Sequence, residues 1–247
     1  MSENWLASKT GTPQQMETAR IVLDEVRAGS DVYAAIRRHP LPGGGYPSKS
    51  MLVRAYNQMV AAGEIPADPA LLARIRMKPM RTLSGVTTVT VLTKPYPCPG
   101  KCIFCPTDVR MPKSYLPDEP GAMRGLQNQF DPYDQVRSRI NALETVGHPT
   151  EKIELLVLGG TWSAYRRDYQ EWFIRRLFDA MNEVDSDTLE EAQRRNETGP
   201  HRNVGLVIET RPDEITADEL AWLRRLGVTK VQIGAQSLDD DILLQNK

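Results

Sequence analysis

The sequence predicts an α/β protein whose parallel sheet follows a small helical domain. From residue 85 onward, short apolar runs alternate with segments of helical periodicity. Two runs, 153–160 and 203–210, are largely apolar, which fits strands buried on both faces of a parallel sheet. The first 76 residues instead carry repeated helix start and stop signals. We therefore expect a helical domain at 1–76 and a strand–helix array at 77–247, with right-handed crossovers, either open or curling toward a barrel.

Each predicted helix of the leader follows a residue that can cap it with a side-chain oxygen. The capping residues are Thr12, Asp31, Ser48 and Asp68. Proline follows two of them directly, as expected at the first helical position. Gly29 and Gly63 end the first and third helices. The amphipathic spacing indicates that these helices pack on one another.

The second part has the predicted order βαβαβαβ. Strands are expected near 86–91 and over 153–160, 203–210 and 230–237, and helices over 132–146, 165–182, 187–196 and 217–226. Parallel strands end at one edge of a sheet, and sites gather there. The segments that follow the four strands are 98–105, 159–161, 209–211 and 234–237. We expect these loops to lie together.

Charge is distributed unevenly along the chain. Residues 1–113 carry 15 Lys and Arg against 8 Asp and Glu, whereas residues 114–247 carry 16 against 24. Within the first part, 37–113 hold 12 basic and 3 acidic residues. Such a basic surface is typical of a protein that binds a polyanion, although a solvated face without a partner has the same composition.

Targeting signals and disulfides are not predicted. The N-terminus lacks a basic region followed by an apolar run, and no apolar stretch approaches the roughly 20 residues of a spanning helix. Three cysteines are too few for a disulfide framework in 247 residues. The composition therefore favours a cytoplasmic protein without a membrane span.

All three cysteines lie in the stretch CPGKCIFC, which we call the cysteine loop (residues 98–105). Cys98, Cys102 and Cys105 follow a predicted strand with the spacing C-x3-C-x2-C. A structural zinc site normally has four ligands, yet the three histidines of the chain are isolated and no second cysteine pair exists. A four-iron cluster normally takes four thiolates. Three thiolates would therefore leave one iron open to a substrate.

The cysteine spacing, with Phe104 before the last cysteine, resembles the signature of radical S-adenosylmethionine enzymes. The resemblance implies a 4Fe–4S cluster on the three cysteines, S-adenosylmethionine on the open iron, and a 5′-deoxyadenosyl radical. It also implies a partial (βα) barrel and an adenine contact for Phe104. The remaining predicted cofactor contacts are Gly159, Gly160, Thr161, Glu209, Arg211 and Gln236. The glycine pair also fits an ordinary turn, and Glu209 and Arg211 also fit a structural ion pair.

A narrower resemblance extends from about residue 76 to the end. Segments such as TKPYPCPGKCIFCP, GHPTEKIELLVLGGT and GLVIETRPD resemble the catalytic subunit of Elongator and its stand-alone microbial relatives. That family modifies C5 of the wobble uridine in tRNA. The resemblance implies acetyl-CoA as a cosubstrate and Lys152 as an acetyl-CoA contact, although Lys152 also fits an exposed lysine at a strand entrance. It further implies an Elongator-like assembly or a homo-oligomer.

Family members carry further barrel strands and an acetyltransferase-like domain beyond the region that corresponds to this chain. We therefore expect an incomplete barrel with an unpaired sheet edge and a fragment of a longer protein. We expect residues 1–113 to supply much of the tRNA surface, centred on Arg74, Arg76, Lys78 and Arg81. Two alternatives remain open: a radical enzyme that acts on another RNA or a small molecule, and a tRNA-binding module with a structural cluster.

Overall fold

The computed structural model describes residues 11–106 and 108–246 and divides into two compact units. The first unit runs to Gly85 and includes Asn141–Pro149, and the second comprises Val86–Ile140 together with the chain from Thr150. The sequence-based boundary between residues 76 and 77 stays a prediction. Within the described residues, none of the helices combines the length and apolar character that a membrane crossing requires.

Between residue 11 and Gly85, the described part of the first unit contains four helices, as its capping signals predict. They are α1 (Pro13–Arg27), α2 (Val32–Arg38), α3 (Lys49–Ala61) and α4 (Pro69–Ile75), followed by a short 3₁₀ helix at Pro79–Thr82. The side chains of the four predicted capping residues accept hydrogen bonds from the first turns of their helices. Leu23, Leu52 and Ile75 are fully buried in the common core.

The second unit contains a parallel sheet of four strands in the order β1-β2-β3-β4. The strands are β1 (Thr87–Leu92), β2 (Lys152–Leu158), β3 (Arg202–Thr210) and β4 (Lys230–Ile233). The central strands are the most apolar, and their core residues Leu155, Leu206 and Ile208 are fully buried. The predicted parallel arrangement is therefore confirmed.

Helices lie between successive strands along the chain, and one more helix follows β4. They are α5 (Pro120–Gln127), α6 (Pro132–Glu144), α7 (Arg167–Asn182), α8 (Leu189–Asn196), α9 (Ala217–Arg225) and α10 (Asp240–Asn246), with 3₁₀ helices at Trp162–Ala164 and Pro212–Glu214. Helix α7 contacts β3 and buries Phe173, Ile174 and Leu177 completely. This packing stabilises the central part of the sheet.

Two buried glutamines fix the positions at which strands β1 and β2 leave the sheet. The side-chain amide of Gln135 donates to Leu92 O at 2.9 Å and accepts from Leu92 N at 2.8 Å. Gln170 donates to Trp162 O at 2.9 Å and accepts from Trp222 Nε1 at 2.5 Å. Since buried polar groups are costly when unpaired, these bonds hold the chain where the functional loops begin.

The structure corrects several predicted boundaries. The fourth strand ends at Ile233, so the prediction of a strand over 230–237 is wrong for its second half. Ile233 pairs with Thr210, the last residue of β3, and no paired strand continues beyond it within the described residues. The helix predicted from residue 165 begins at Arg167, after a 3₁₀ turn, and α5 and α10 were not predicted.

Candidate functional site

The cysteine loop lies beyond the end of β1, and each of its three sulfurs has a side-chain hydrogen-bond partner. Cys98 Sγ lies 3.1 Å from Thr161 Oγ1, and Cys105 Sγ lies 3.5 Å from Ser114 Oγ. Arg211 Nη1 donates to Cys102 Sγ at 3.5 Å. When the thiols are ionised, the sulfurs can only accept, so both hydroxyls must donate. The partners come from the segments after β2 and β3 and from the segment 108–119.

Arg211 joins the cysteine loop to the end of β3. Its guanidinium also donates to both carboxylate oxygens of Asp213, at 2.9 and 2.7 Å. These hydrogen bonds raise the pKa of Arg211 and lower the pKa of Asp213. A Cβ at Gly100 would overlap Arg211 Nη1, so the guanidinium would have to move from this position. The ion pair considered from the sequence thus forms with Asp213 and not with Glu209.

Glu209 is half-buried near the end of β3 and holds two other segments in place. Its Oε2 accepts from Tyr115 Oη at 2.7 Å, and the nearby backbone N–H groups of Gly159 and Gly160 act to lower the pKa of its carboxyl. Burial raises the pKa of the Glu209 carboxyl and that of the Tyr115 hydroxyl. Glu209 therefore fastens Tyr115 to the end of β3, beside the glycine turn.

The glycine pair after β2 is required by its conformation and by its neighbours. Gly159 has φ +150° and Gly160 has φ +89°, which L residues rarely adopt. A Cβ at Gly159 would overlap Thr93 Oγ1 and lie 3.1 Å from Thr93 Cβ. Thr93 is buried, and its hydroxyl is 2.8 Å from Tyr165 Oη. The absence of side chains at the two glycines therefore lets the turn pack closely against Thr93 and Lys113.

Replacing Gly159 by Ala should destabilise the protein by about 3 kcal/mol or more, because backbone strain and a clash in a buried region add together. Gly85→Ala is the matched control, since Gly85 also has a positive φ, +79°, but a methyl group placed there would have no atom within 4 Å. That control should cost only about 1–2 kcal/mol. Urea denaturation of both variants measures the difference, and equal costs would contradict the predicted clash.

The other predicted cofactor contacts occupy three different environments. Thr161 is 5% exposed and faces Cys98, whereas Phe104 is 53% exposed on the cysteine loop. Gln236 lies beyond the end of β4 with φ +62° and is exposed. The C-terminal edge of the sheet thus carries all of these segments, and their contacts with a cofactor stay predictions.

The donor set consists of three cysteine thiols, which are the usual protein ligands of iron–sulfur clusters. Among the described residues, no group of three or more His, Cys, Asp or Glu is placed to hold a single ion. The three cysteines are free and partly exposed, and each sulfur has its own donor. Hydrogen bonds to cysteine sulfur are a general feature of iron–sulfur sites, where each thiolate takes a separate iron. The residues present therefore fit such a cluster.

Lys152 lies at the opposite end of the sheet, where β2 begins. It lines an open cavity of about 660 Å³ together with Arg202, Arg224 and Arg225, and Glu197 is the one acidic residue among the described lining residues. The seven residues of β2 separate this cavity from the glycine turn, a distance of roughly 20 Å at 3.3 Å per residue. Lys152 is thus remote from the cysteine loop.

The predicted tRNA residues lie in the first unit, from the last turn of α4 toward β1, and we call 74–81 the basic segment. Arg74 donates to Val26 O and Ser30 O, at 2.9 and 2.7 Å. Arg76 donates to Gly147 O at 2.6 Å. Lys78 and Arg81 are exposed. Two of the four guanidinium or ammonium groups are therefore committed to backbone carbonyls, and a phosphate contact for any of them stays a prediction.

Several residues of the site were missed in the sequence. Ser114, Tyr115 and Asp213 contact the predicted site residues Cys105, Glu209 and Arg211. The contact of Asp213 with Arg211 could have been predicted from the sequence, since an acidic residue two positions after an arginine in a turn can form an ion pair with it. Ser114 and Tyr115 lie in irregular chain, where no periodicity indicates which side chains face the site.

No protein-family model matches the chain. The tRNA uridine(34) acetyltransferase of Methanocaldococcus infernus is 48% identical over 207 residues, which cover 81% of this chain and 38% of that protein. The tRNA uridine(34) acetyltransferase of Methanocaldococcus jannaschii is 46% identical over 227 residues, or 90% of this chain and 40% of that protein. Elongator complex protein 3 of Danio rerio is 37% identical over 184 residues, or 70% and 34%.

A solved structure supports the same relationship. The Methanocaldococcus infernus Elp3 with an N-terminal deletion of residues 1–46 matches with a TM-score of 0.52 and 44% identity, over 65% of this chain and 31% of that chain. The predicted α/β class with a parallel sheet is confirmed by this likeness, and the assignment to a partial radical S-adenosylmethionine barrel stays a prediction. This chain spans about two fifths of the length of the archaeal relatives it matches.

Proposed function

Because the chain belongs to the family of tRNA uridine(34) acetyltransferases and Elongator complex protein 3, we propose that it is the radical S-adenosylmethionine part of a tRNA-modifying enzyme. The proposed reaction uses acetyl-CoA to modify C5 of the wobble uridine, as the first step toward carboxymethyluridine. The free thiols fit a reducing compartment, and we assign the protein to the cytoplasm.

One observation carries the proposal: three cysteine sulfurs, each beside its own hydrogen-bond donor, share an edge of the sheet with Gly159, Glu209 and Arg211. Cys98, Cys102 and Cys105 would hold the cluster. When bound, the cluster would supply the electron that cleaves S-adenosylmethionine to a carbon radical. Thr161, Ser114 and Arg211 would orient the sulfurs and stabilise their negative charge. Glu209 would hold Tyr115 beside the glycine turn.

The residues after β2 and β3 have a second role in this scheme. The backbone of Gly159 and Gly160 would lie against the methionine part of the cofactor, while Thr93 and Lys113 fill the space where their side chains would be. Glu209, whose pKa is raised by burial, has one oxygen engaged by Tyr115 and can accept a ribose hydroxyl on the other. Phe104 is exposed and suits contact with a purine ring.

Anaerobic reconstitution followed by iron and sulfide analysis, coupled to an assay for 5′-deoxyadenosine after reduction, tests the proposal. Cluster-bound protein that releases 5′-deoxyadenosine supports the radical enzyme. A stable cluster that never cleaves the cofactor would favour the tRNA-binding module instead. Cleavage that an unrelated RNA or a small molecule stimulates, but tRNA does not, would favour a different substrate.

We also propose that Lys152 contacts acetyl-CoA. The cavity at the start of β2 combines Lys152 with Arg202, Arg224 and Arg225, and this positive charge suits the phosphates of a coenzyme. The acyl group would then have to cross from that end of the sheet to the cysteine loop. The cavity therefore fits a binding role for Lys152 rather than a role in the radical chemistry.

In the complete protein, replacing Lys152 by Ala should raise the KM for acetyl-CoA about tenfold, because the variant forgoes one charge-assisted hydrogen bond of about 1.4 kcal/mol. Affinity for tRNA should not change. Lys152→Arg is the matched control and should recover most of the loss, because it retains the charge. An unchanged KM in Lys152→Ala would leave Lys152 as an exposed lysine at a strand entrance.

A further inference from the structure

A second, smaller cavity opens beside the cysteine loop. It has a volume of about 340 Å³ and is lined by Tyr96, Pro97, Asp108, Met111 and Lys113, among others. Its walls are thus the residues just before Cys98 and those shortly after Cys105. The size is at the lower end of the range for ligand cavities, about 300–1,000 Å³, and suits one nucleoside better than a large cofactor.

Tyr96 forms a rigid aromatic wall of this cavity. Its ring stacks on Tyr165 with centroids 4.7 Å apart and planes inclined by 29°, and Tyr165 stacks in turn on Tyr169 at 5.1 Å. Tyr165 is 5% exposed, and its hydroxyl donates to Lys94 O at 2.6 Å. Because buried neighbours support it, Tyr96 can stack on a ligand ring at little cost in conformational entropy.

Polar groups of both kinds line the same cavity. The Asp108 carboxylate accepts from Arg110 N, Nε and Nη2 at 2.9, 3.0 and 2.6 Å, which fixes its position. Lys113 also lines the cavity and carries an ammonium group, and its backbone lies against the glycine turn, since a Cβ at Gly160 would be 3.1 Å from Lys113 O. A uracil edge presents carbonyl acceptors on either side of an N–H donor, which an ammonium and a carboxylate can match.

The surrounding charge favours a nucleic acid. Residues 94–113 contain four basic side chains, Lys94, Lys101, Arg110 and Lys113, against the single acidic residue Asp108. Basic groups around an aromatic wall are the usual arrangement at sites for single-stranded nucleic acid. Sequence-specific RNA recognition acts on unpaired loop bases that stack on aromatic side chains.

We propose that this cavity receives one unpaired uracil base of an RNA loop, stacked on Tyr96, with Lys113 and Asp108 contacting its polar edge. The inference rests on the proposed function and deepens it, because it assigns base recognition to residues outside the basic segment. Neither the cysteines nor the predicted cofactor residues are among the described residues that line the cavity, so a base and a cofactor can be held side by side.

Photocrosslinking locates the base directly. An RNA stem-loop that carries 5-iodouridine at one loop position at a time is bound to the reconstituted protein and irradiated, and the crosslinked peptide is identified by mass spectrometry. We expect one loop position to crosslink to Tyr96. A crosslink confined to other peptides would overturn the assignment.

Affinity measurements provide the second readout. With the same stem-loop, Tyr96→Ala should weaken binding about 5- to 150-fold, the range expected for loss of one base–aromatic stack. Tyr96→Phe is the matched control and should bind like the wild type, because it retains the ring. An abasic residue at the crosslinking position should remove the difference between wild type and Tyr96→Ala. Lys113→Ala should reduce the preference for uracil over cytosine at that position.

The outcomes separate this inference from the proposed function. Normal cofactor cleavage and RNA binding with no effect of Tyr96→Ala would overturn the uracil site alone. Absence of RNA binding by the wild-type protein would overturn both proposals. Thermal unfolding of Tyr96→Ala establishes that any loss of affinity comes from a folded protein.

Discussion

Replacing Cys102 by Ala should abolish the brown 4Fe–4S chromophore after anaerobic reconstitution. Cys98, Cys102 and Cys105 are the only cysteines of the chain, so no other thiol can substitute. A cluster held by three thiolates already has one iron without a protein ligand. Loss of Cys102 would leave only two thiolates, Cys98 and Cys105, to hold four irons. Visible absorbance together with iron and sulfide analysis measures the loss, which we expect to be almost complete.

Lys101→Ala is the control for this prediction. Lys101 is exposed and lies within the same loop, but it has no thiol. It should retain the wild-type iron content. Full iron occupancy in Cys102→Ala would refute the assignment of the three cysteines as cluster ligands, whatever the outcome for the other variants.

Replacing Arg74, Arg76, Lys78 and Arg81 together by Ala should weaken tRNA binding at least tenfold and for all tRNAs alike. Affinity for nucleic acids depends largely on phosphate neutralisation and counterion release, which carry little sequence information. The slope of log affinity against log salt should therefore fall by about 0.7–0.9 for each phosphate that is no longer neutralised. Binding assays at several salt concentrations measure both quantities.

The hydrogen bonds of Arg74 and Arg76 to backbone carbonyls call for a second variant. Replacing only Lys78 and Arg81 removes two exposed charges and leaves those hydrogen bonds intact. This variant should keep the wild-type thermal stability and still lower the slope by about 1.5 if both residues contact phosphates. Wild-type affinity and slope in both variants would mean that the tRNA surface lies elsewhere.

The helix starts of the first unit and the buried strands could be predicted, because each depends on residues that are neighbours in the sequence. A capping oxygen such as that of Ser48 acts on the helix that follows it, and a continuous apolar run such as β2 indicates burial by itself. The end of β4 could not be predicted in this way, because it depends on where its partner β3 ends. Strand length is decided by pairing as well as by composition.

Helix α5 was missed for a related reason. It contains Gly121 and Gly125, which disfavour a helix in isolation. A Cβ at Gly125 would lie 3.1 Å from Leu92 Cβ and 3.3 Å from the Phe130 ring, so glycine permits close packing on β1. Tertiary contact thus outweighs helix propensity at this position, and a single sequence does not reveal that contact.

The candidate site also has a part that could be predicted from local sequence and a part that depends on tertiary contacts. The spacing of the cysteines identifies the loop without a structure, because three thiols within eight residues are rare outside metal and redox sites. Their partners Thr161, Ser114 and Arg211 depend on the three-dimensional arrangement of separate loops. The remote position of Lys152 also required the structure, since it follows from the direction of β2.

The long-range contacts that hold the cysteine loop have a consequence for the order of folding. They join Cys98 to Thr161 and Cys102 to Arg211, which are 63 and 109 positions apart. Contacts between such distant residues close long loops at a cost in chain entropy, so they should form after β2 and β3 have paired. On the ribosome, the loop would stay unassembled until Arg211 has emerged, and iron loading should therefore follow synthesis of this unit rather than accompany it.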